Sequence, residues 1–120
     1  MNVFSGSVDR SGTSPVLRVG DAALRLGEVA AADGARLDVG IRPEHLAFAG
    51  DKGGAIAPVV EVFEPLGSDT MAICRLGGQE LTARLAPTVA LRPNERISLD
   101  YKLEDLHYFD GENGARIEAR

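Results

Sequence analysis

Thr70-Met71-Ala72-Ile73-Cys74-Arg75-Leu76-Gly77-Gly78-Gln79-Glu80-Leu81-Thr82-Ala83-Arg84-Leu85 is two apolar-rich runs separated by a pair of glycines. In the second run Leu81, Ala83 and Leu85 alternate with Glu80, Thr82 and Arg84, the period of two that a strand with one buried face requires. Glycine adopts the positive φ of a two-residue hairpin turn at little steric cost, so Gly77-Gly78 folds one run back on the other. The stretch predicts antiparallel β-structure.

Part of it also resembles the Leu-Ser-Gly-Gly-Gln signature with which transporter ATPases grip a nucleotide phosphate: Leu76-Gly77-Gly78-Gln79-Glu80. That signature works at a helix N-terminus, where free amides and the helix dipole face the anion. Here both flanks alternate as strands and the serine is absent, so a hairpin turn is the better reading. No G-x-x-x-x-G-K-[ST] loop exists in the sequence, and Gly50-Asp51-Lys52-Gly53-Gly54 has the wrong spacing and an acid that repels phosphate. On these motifs the chain is expected not to be an enzyme.

Working outward, short strand-like runs and turn signals alternate every 8–12 residues. Residues 2–8 read as a first strand. Val16–Val19 and Ala22–Leu26 flank Gly20-Asp21, a second hairpin signal. Residues 27–35 read as a loop with room for one helical turn, and residues 36–42 as a strand. Residues 44–46 suit a short turn ahead of Ala47-Phe48. Residues 56–64 predict a long strand with Glu61 and Glu64 on opposite faces. Arg92-Pro93-Asn94-Glu95 suits a turn in which Asn94 takes left-handed geometry. Residues 97–101 alternate, Leu103-Glu104-Asp105 turns, residues 106–109 run extended, and Asn113-Gly114 returns residues 116–118 as a last strand. No segment keeps a 3.6 period over three turns. The expectation is all-β: a small barrel of the oligonucleotide/oligosaccharide-binding (OB) type with eight or nine short strands, residues 1–120 forming one domain.

Composition narrows the function. The net charge is −5, and residues 61–120 carry 11 acids against 7 bases. Nucleic-acid affinity rests on neutralising phosphates with Lys and Arg, so an acidic chain with no basic cluster is expected to bind no nucleic acid. Cys74, the single cysteine, sits in an apolar strand and has no internal disulfide partner. His45 and His107 lie in no nucleophile motif, and no zinc spacing or Asp-x-Asp loop occurs. No catalytic, metal or cofactor residue is therefore assigned. No apolar run approaches the ~20 residues of a membrane span.

The most polar strand end is Val39-Gly40-Ile41-Arg42-Pro43-Glu44-His45-Leu46. Pro43 lacks an amide hydrogen and stops the ladder, so Arg42, Glu44 and His45 are presented where the strand ends. Arg42 is expected to pair with Asp38 or Glu44 and pin the exit, and the exposed corner to contact another domain.

That stretch, then Val60-Glu61-Val62-Phe63-Glu64-Pro65-Leu66-Gly67-Ser68-Asp69-Thr70, then Leu106-His107-Tyr108-Phe109-Asp110, form an ordered set covering most of the chain. The set resembles the C-terminal regulatory segment, containing the transport-associated OB (TOBE) fold, of ATP-binding subunits of bacterial carbohydrate ABC importers of the maltose and glycerol-phosphate class. The resemblance implies a non-catalytic regulatory and dimerisation domain, with the nucleotide-binding domain, ATP and magnesium belonging to the parent protein. It implies as partners the parent's own ATPase domain, a second copy, the transporter's membrane subunits through the parent, and a regulatory protein. It places the assembly in the cytoplasm, at the inner face of the membrane. The candidate structural or interface residues are then Arg42, Pro43, Glu44 and His45, together with Glu64, Leu66, Gly67, Ser68 and Asp69. The alternative is a stand-alone barrel that binds an oxyanion or a sugar. Related domains of molybdate importers bind the oxyanion, but their Ser-Ala-Arg-Asn start is missing here, which argues against a site of that kind.

Overall fold

Two glycines with positive φ, Gly77 at 57° and Gly78 at 81°, close the hairpin that the sequence made plainest. It joins β7 (Thr70–Leu76) to β8 (Gln79–Leu85), in register from Thr70 opposite Leu85 to Leu76 opposite Gln79. The computed structural model describes residues 1–50 and 53–117. Asp51 and Lys52 of the expected loop, and Glu118 of the expected last strand, lie outside them.

Among the described residues are eleven strands rather than eight or nine. Before β7 come β1 (Asn2–Asp9), β2 (Val16–Val19), β3 (Ala22–Arg25), β4 (Arg36–Ile41), β5 (Ala47–Phe48) and β6 (Val59–Pro65). After β8 come β9 (Leu99–Asp100), β10 (His107–Asp110) and β11 (Arg116–Ile117). Three of the eleven, β5, β9 and β11, are two residues long, and the alternation expected over residues 97–101 makes a ladder only at Leu99–Asp100. All pairings are antiparallel. They make a six-stranded sheet in the order β11-β10-β4-β1-β2-β3, a three-stranded sheet β6-β7-β8 and a pair β5-β9. The all-β class holds.

Two expected elements change. Residues 27–35 contain no helical turn: Arg10 takes the Val29 carbonyl at 2.7 Å and the Ala31 carbonyl at 2.9 Å, and its own N–H donates to Asp33. The long strand expected from residue 56 starts at Val59, because Ile56 bridges Leu99 alone and Pro58 has no N–H to offer a ladder. A bulge between Val60 and Val62 also shifts the register. Glu64 then pairs with Met71, and Glu61 bonds outward-facing Arg75, so both acids lie on the outer face instead of opposite ones.

The inner faces meet in one core that includes Phe4, Leu17, Leu24, Val39 and Tyr108 from the large sheet and Val60, Cys74, Leu81 and Ala83 from the small one. Two tyrosines brace it. The Tyr101 hydroxyl donates to the Arg25 carbonyl at 2.8 Å, and the Gly27 N–H donates to the Tyr108 hydroxyl at 2.9 Å. Burial pushes both phenol pKa values up, so each stays protonated. Asn94, at φ 66°, takes the left-handed turn the sequence assigned it, and its N–H donates to the Val60 carbonyl at 2.7 Å.

The large and small sheets share no backbone ladder where β1 passes β8. Side-chain amides bridge them instead. Asn2 bonds both backbone groups of Thr82, and Gln79 bonds both of Ser5, at 2.7–3.0 Å.

Candidate interaction site

Pro43 ends β4 as the sequence predicts, and Pro43–His45 forms a single 3₁₀ turn that leaves Arg42 and Glu44 exposed. The expected pinning of the exit by Arg42 does not occur. Among the described residues Arg42 makes no ion pair with Asp38 or Glu44; its extended backbone (φ −76°, ψ 145°), set by the following proline, carries the turn. The Glu44 carboxyl lies below the usual carboxylate range, first because its own backbone N–H donates to it, then through the charges of His45, Arg42 and Arg84, against partial desolvation.

His45 turns inward. Its Nδ1 is shielded from solvent without a hydrogen-bond partner, 4.0 Å from Asp105 Oδ1 in the second 3₁₀ turn, Leu103–Asp105. That gap is beyond hydrogen-bond reach.

Glu64, Leu66, Gly67, Ser68 and Asp69 occupy the tip of the β6–β7 hairpin. The Leu66 N–H donates to the Asp69 carbonyl at 2.8 Å, and Gly67 supplies the positive φ of 89°. Leu66–Asp69 is thus the bonded pair that closes the hairpin. Counting back along the register, Pro65 and Phe63 turn their backbone groups away from β7. Pro65 has no N–H, and Glu61 and Glu64 flank the edge. These features discourage a further strand from adding there. What the tip offers is side chains: Val62 is 55% exposed and Leu66 46%.

Arg84 unites the two clusters. The turn at Pro43–His45 packs against β8, and Arg84 near the end of β8 reaches Asp69 Oδ2 at 3.5 Å while its charge is felt at Glu44. One exposed corner therefore carries Arg42, Glu44, Arg84 and Asp69, with Glu64 and Arg84 on either side of Met71 in the register and Leu66 bonded opposite Asp69. Sequence reasoning missed Arg84: it was legible as an outward residue of its strand, but nothing local said which acids it would meet. No group of three or more His, Cys, Asp or Glu side chains suited to a metal occurs among the described residues. The corner presents charges and apolar surface, and no nucleophile paired with a base.

A family model described as the TOBE domain matches residues 39–109. Over 118 residues the chain is 38% identical to the sn-glycerol-3-phosphate import ATP-binding protein UgpC of Chromobacterium violaceum, covering 98% of this chain and 32% of that protein. It is 35% identical over 117 residues to the protein of the same name from Escherichia coli O157:H7, covering 98% and 33%. The chain thus spans about a third of the length of the curated relatives it matches. Among solved structures it superposes on the cytoplasmic molybdate-binding protein ModG with a TM-score of 0.69 at 16% identity, covering 89% of this chain and 94% of that one. At that identity the likeness shows the fold alone.

Proposed function

The chain belongs to the TOBE domain family, and on that premise we propose that it is the regulatory and dimerisation domain of the ATP-binding protein of a carbohydrate-class ABC importer. Residues 1–120 are read as one non-catalytic unit at the C-terminal end of that parent. The observation that carries this reading is identity sustained over 98% of the chain with import ATP-binding proteins about three times as long. In the parent, ATP and magnesium would be held by residues outside this chain. The partners are the parent's own ATPase domain, a second copy, the membrane subunits through the parent, and a regulatory protein. The site of action is the cytoplasmic face of the membrane. No helix among the described residues is long and apolar enough to cross one.

The Arg42–Arg84 corner supports the contact role. It is exposed, of mixed charge, and includes the exposed apolar Leu66 at the hairpin tip, and protein contacts combine apolar surface with polar groups in this way. Its guarded strand edge favours docking by side chains over strand addition.

The test is made on the parent ATPase, with dimerisation followed by sedimentation and control of ATP hydrolysis by transport assay. Removal of residues 1–120 is expected to weaken dimerisation and release control. Arg84→Ala is expected to do part of the same, at a cost to the stability of the isolated chain of about 1 kcal/mol at most. A truncated parent that dimerises and is controlled like the intact one would overturn the reading.

A further inference from the structure

Among the described residues one side-chain nitrogen or oxygen is shielded from solvent with no hydrogen-bond partner, His45 Nδ1. Buried polar groups are almost always bonded, because a group stripped of water with no partner is costly, so such an atom calls for an explanation. The rest of the ring is not sealed in: the His45 side chain is 37% exposed, and a proton reaches it from solvent. The atom facing Nδ1 is Asp105 Oδ1, at 4.0 Å.

The two residues hold equivalent places. Each ends a single 3₁₀ turn entered from an extended residue, Arg42 for the first turn and Lys102 for the second. Each turn is closed by bonds of its own backbone. The His45 N–H donates to the Arg42 carbonyl at 3.0 Å and the Leu46 N–H to that of Pro43 at 3.4 Å; the Asp105 N–H donates to the Lys102 carbonyl at 3.0 Å and the Leu106 N–H to that of Leu103 at 3.2 Å. Neither turn has a side-chain cap or a buried residue, so the two can approach without repacking the core. A charge-assisted N–H···O bond is about 2.8 Å long, which asks for an approach of about 1 Å.

Between the turns lies a cleft of about 380 Å³ lined by Glu44, His45, Asp100, Lys102 and Asp105 among others. Arg42 and Glu104 stand next to these in the chain, and Arg84 comes from β8, which packs on the first turn. Arg42, Arg84 and Lys102 oppose a positive ring, and the carboxylates favour one. Glu44 accepts from its own backbone N–H, and Asp100 accepts from that of Tyr101 at 2.9 Å. Asp105 is the carboxylate that stands at Nδ1.

We infer that His45 and Asp105 form a proton-operated latch: the protonated ring donates from Nδ1 to Asp105 Oδ1 and ties the first turn to the second, and the neutral ring leaves them apart. Imidazole is the side chain whose charge changes between pH 5 and 8. In the neutral ring with its proton on Nε2, Nδ1 turns a lone pair to the carboxylate. A proton taken from solvent converts that lone pair into a donor. The first turn packs beside Arg84 and the second leads into β10 of the large sheet, so the closed latch ties the exposed corner to that sheet. An effect on regulation rests on the importer reading, whereas the latch concerns this chain alone and is tested on it alone.

The test follows the ring nitrogens of His45 and the backbone amides of residues 43–46 and 103–106 by NMR, in the 120-residue chain, from pH 8 to pH 5.5. At pH 8 Nδ1 is expected to be unprotonated. On acidification it should gain a proton, and the amides of both turns should shift in step with it. His45→Gln should abolish the response of both turns. Asp105→Ala should abolish that of residues 103–106 while the ring of His45 still gains its proton. A neutral ring that already carries its proton on Nδ1 at pH 8 overturns the latch, as does a response at residues 103–106 that survives either substitution. If a variant fails to fold, the ring signals of the parent sequence and their match to the amides of the second turn decide.

Discussion

The side-chain amide of Asn2 is bonded at both ends to one residue of another sheet: Nδ2 donates to the Thr82 carbonyl at 2.7 Å, and the Thr82 N–H donates to Oδ1 at 2.8 Å. A side chain here stands in for a strand, where β1 and β8 run past each other without a ladder. Asn2→Ala leaves a donor and an acceptor of β8 without partners, which costs about 1–3 kcal/mol. A domain of this size loses roughly 4 °C of melting temperature per kcal/mol. Asn2→Asp keeps the acceptor but aims a charge at the Thr82 carbonyl, so it is expected to be no better near neutral pH and to recover partly in acid. Thermal unfolding and amide exchange at Thr82 check both.

A second close approach ties the two hairpin turns. A Cβ on Gly77 would lie 1.8 Å from the Val19 carbonyl oxygen, and one on Gly20 would lie 2.5 Å from the Gly77 oxygen. Its neighbour Gly78 also has positive φ, but nothing stands within 4 Å of its missing Cβ. Gly78→Ala therefore suffers only left-handed strain, about 1–2 kcal/mol. Gly77→Ala adds a backbone clash and is expected to cost about 3 kcal/mol or more. Urea unfolding of the two variants measures the difference. Equal costs would mean that the turns separate easily.

Much of this was legible in the sequence. Alternation and turn glycines placed the hairpins at Gly20-Asp21 and Gly77-Gly78, the stop at Pro43 and the left-handed Asn94. These are local features, each written within a few residues. What stayed hidden is nonlocal: the seam made by Asn2 and Gln79 joins residues more than 70 apart. The bulge after Val60 leaves no mark on the apolar pattern, yet it moves Glu61 to the face of Glu64. Arg84 read only as an outward strand residue, and its tie to Asp69 depends on how the hairpin tip folds beside the Pro43 turn.

The corner separates stability from coupling. Arg42 is exposed and makes no ion pair among the described residues, so Arg42→Ala should leave stability within about 0.5 kcal/mol. If the corner contacts another domain, the effect of this change is expected in the regulation of the parent and not in folding. Arg84→Ala removes a half-exposed pair with Asp69, worth about 1 kcal/mol at most. It also removes a cation near Glu44, so the Glu44 pKa should rise towards its ordinary value. Melting curves and NMR titration of Glu44 check the two effects separately.

Acid should loosen the β1–β2 end first through Asp9. Its carboxylate accepts from the Ser11 hydroxyl at 2.6 Å, the Ser11 N–H at 2.9 Å and Arg18 Nε at 2.9 Å. Those bonds, the two from Ser11 foremost, lower its pKa from 3.8 to about 2. A carboxyl whose folded pKa is depressed binds its proton more readily in the unfolded chain. The stability it contributes is therefore complete above pH 3.8 and disappears as pH falls from there to about 2. Asp9→Asn removes this contribution: it should be less stable than the parent sequence near neutral pH, and the two should converge near pH 2. Ser11→Ala takes away the largest cause and should move the acid limb to higher pH while keeping the pair with Arg18. Urea midpoints followed from neutral pH down to 2 distinguish the three chains. Parallel curves for Asp9→Asn and the parent sequence would show that the Ser11 and Arg18 bonds do not hold the carboxylate in solution.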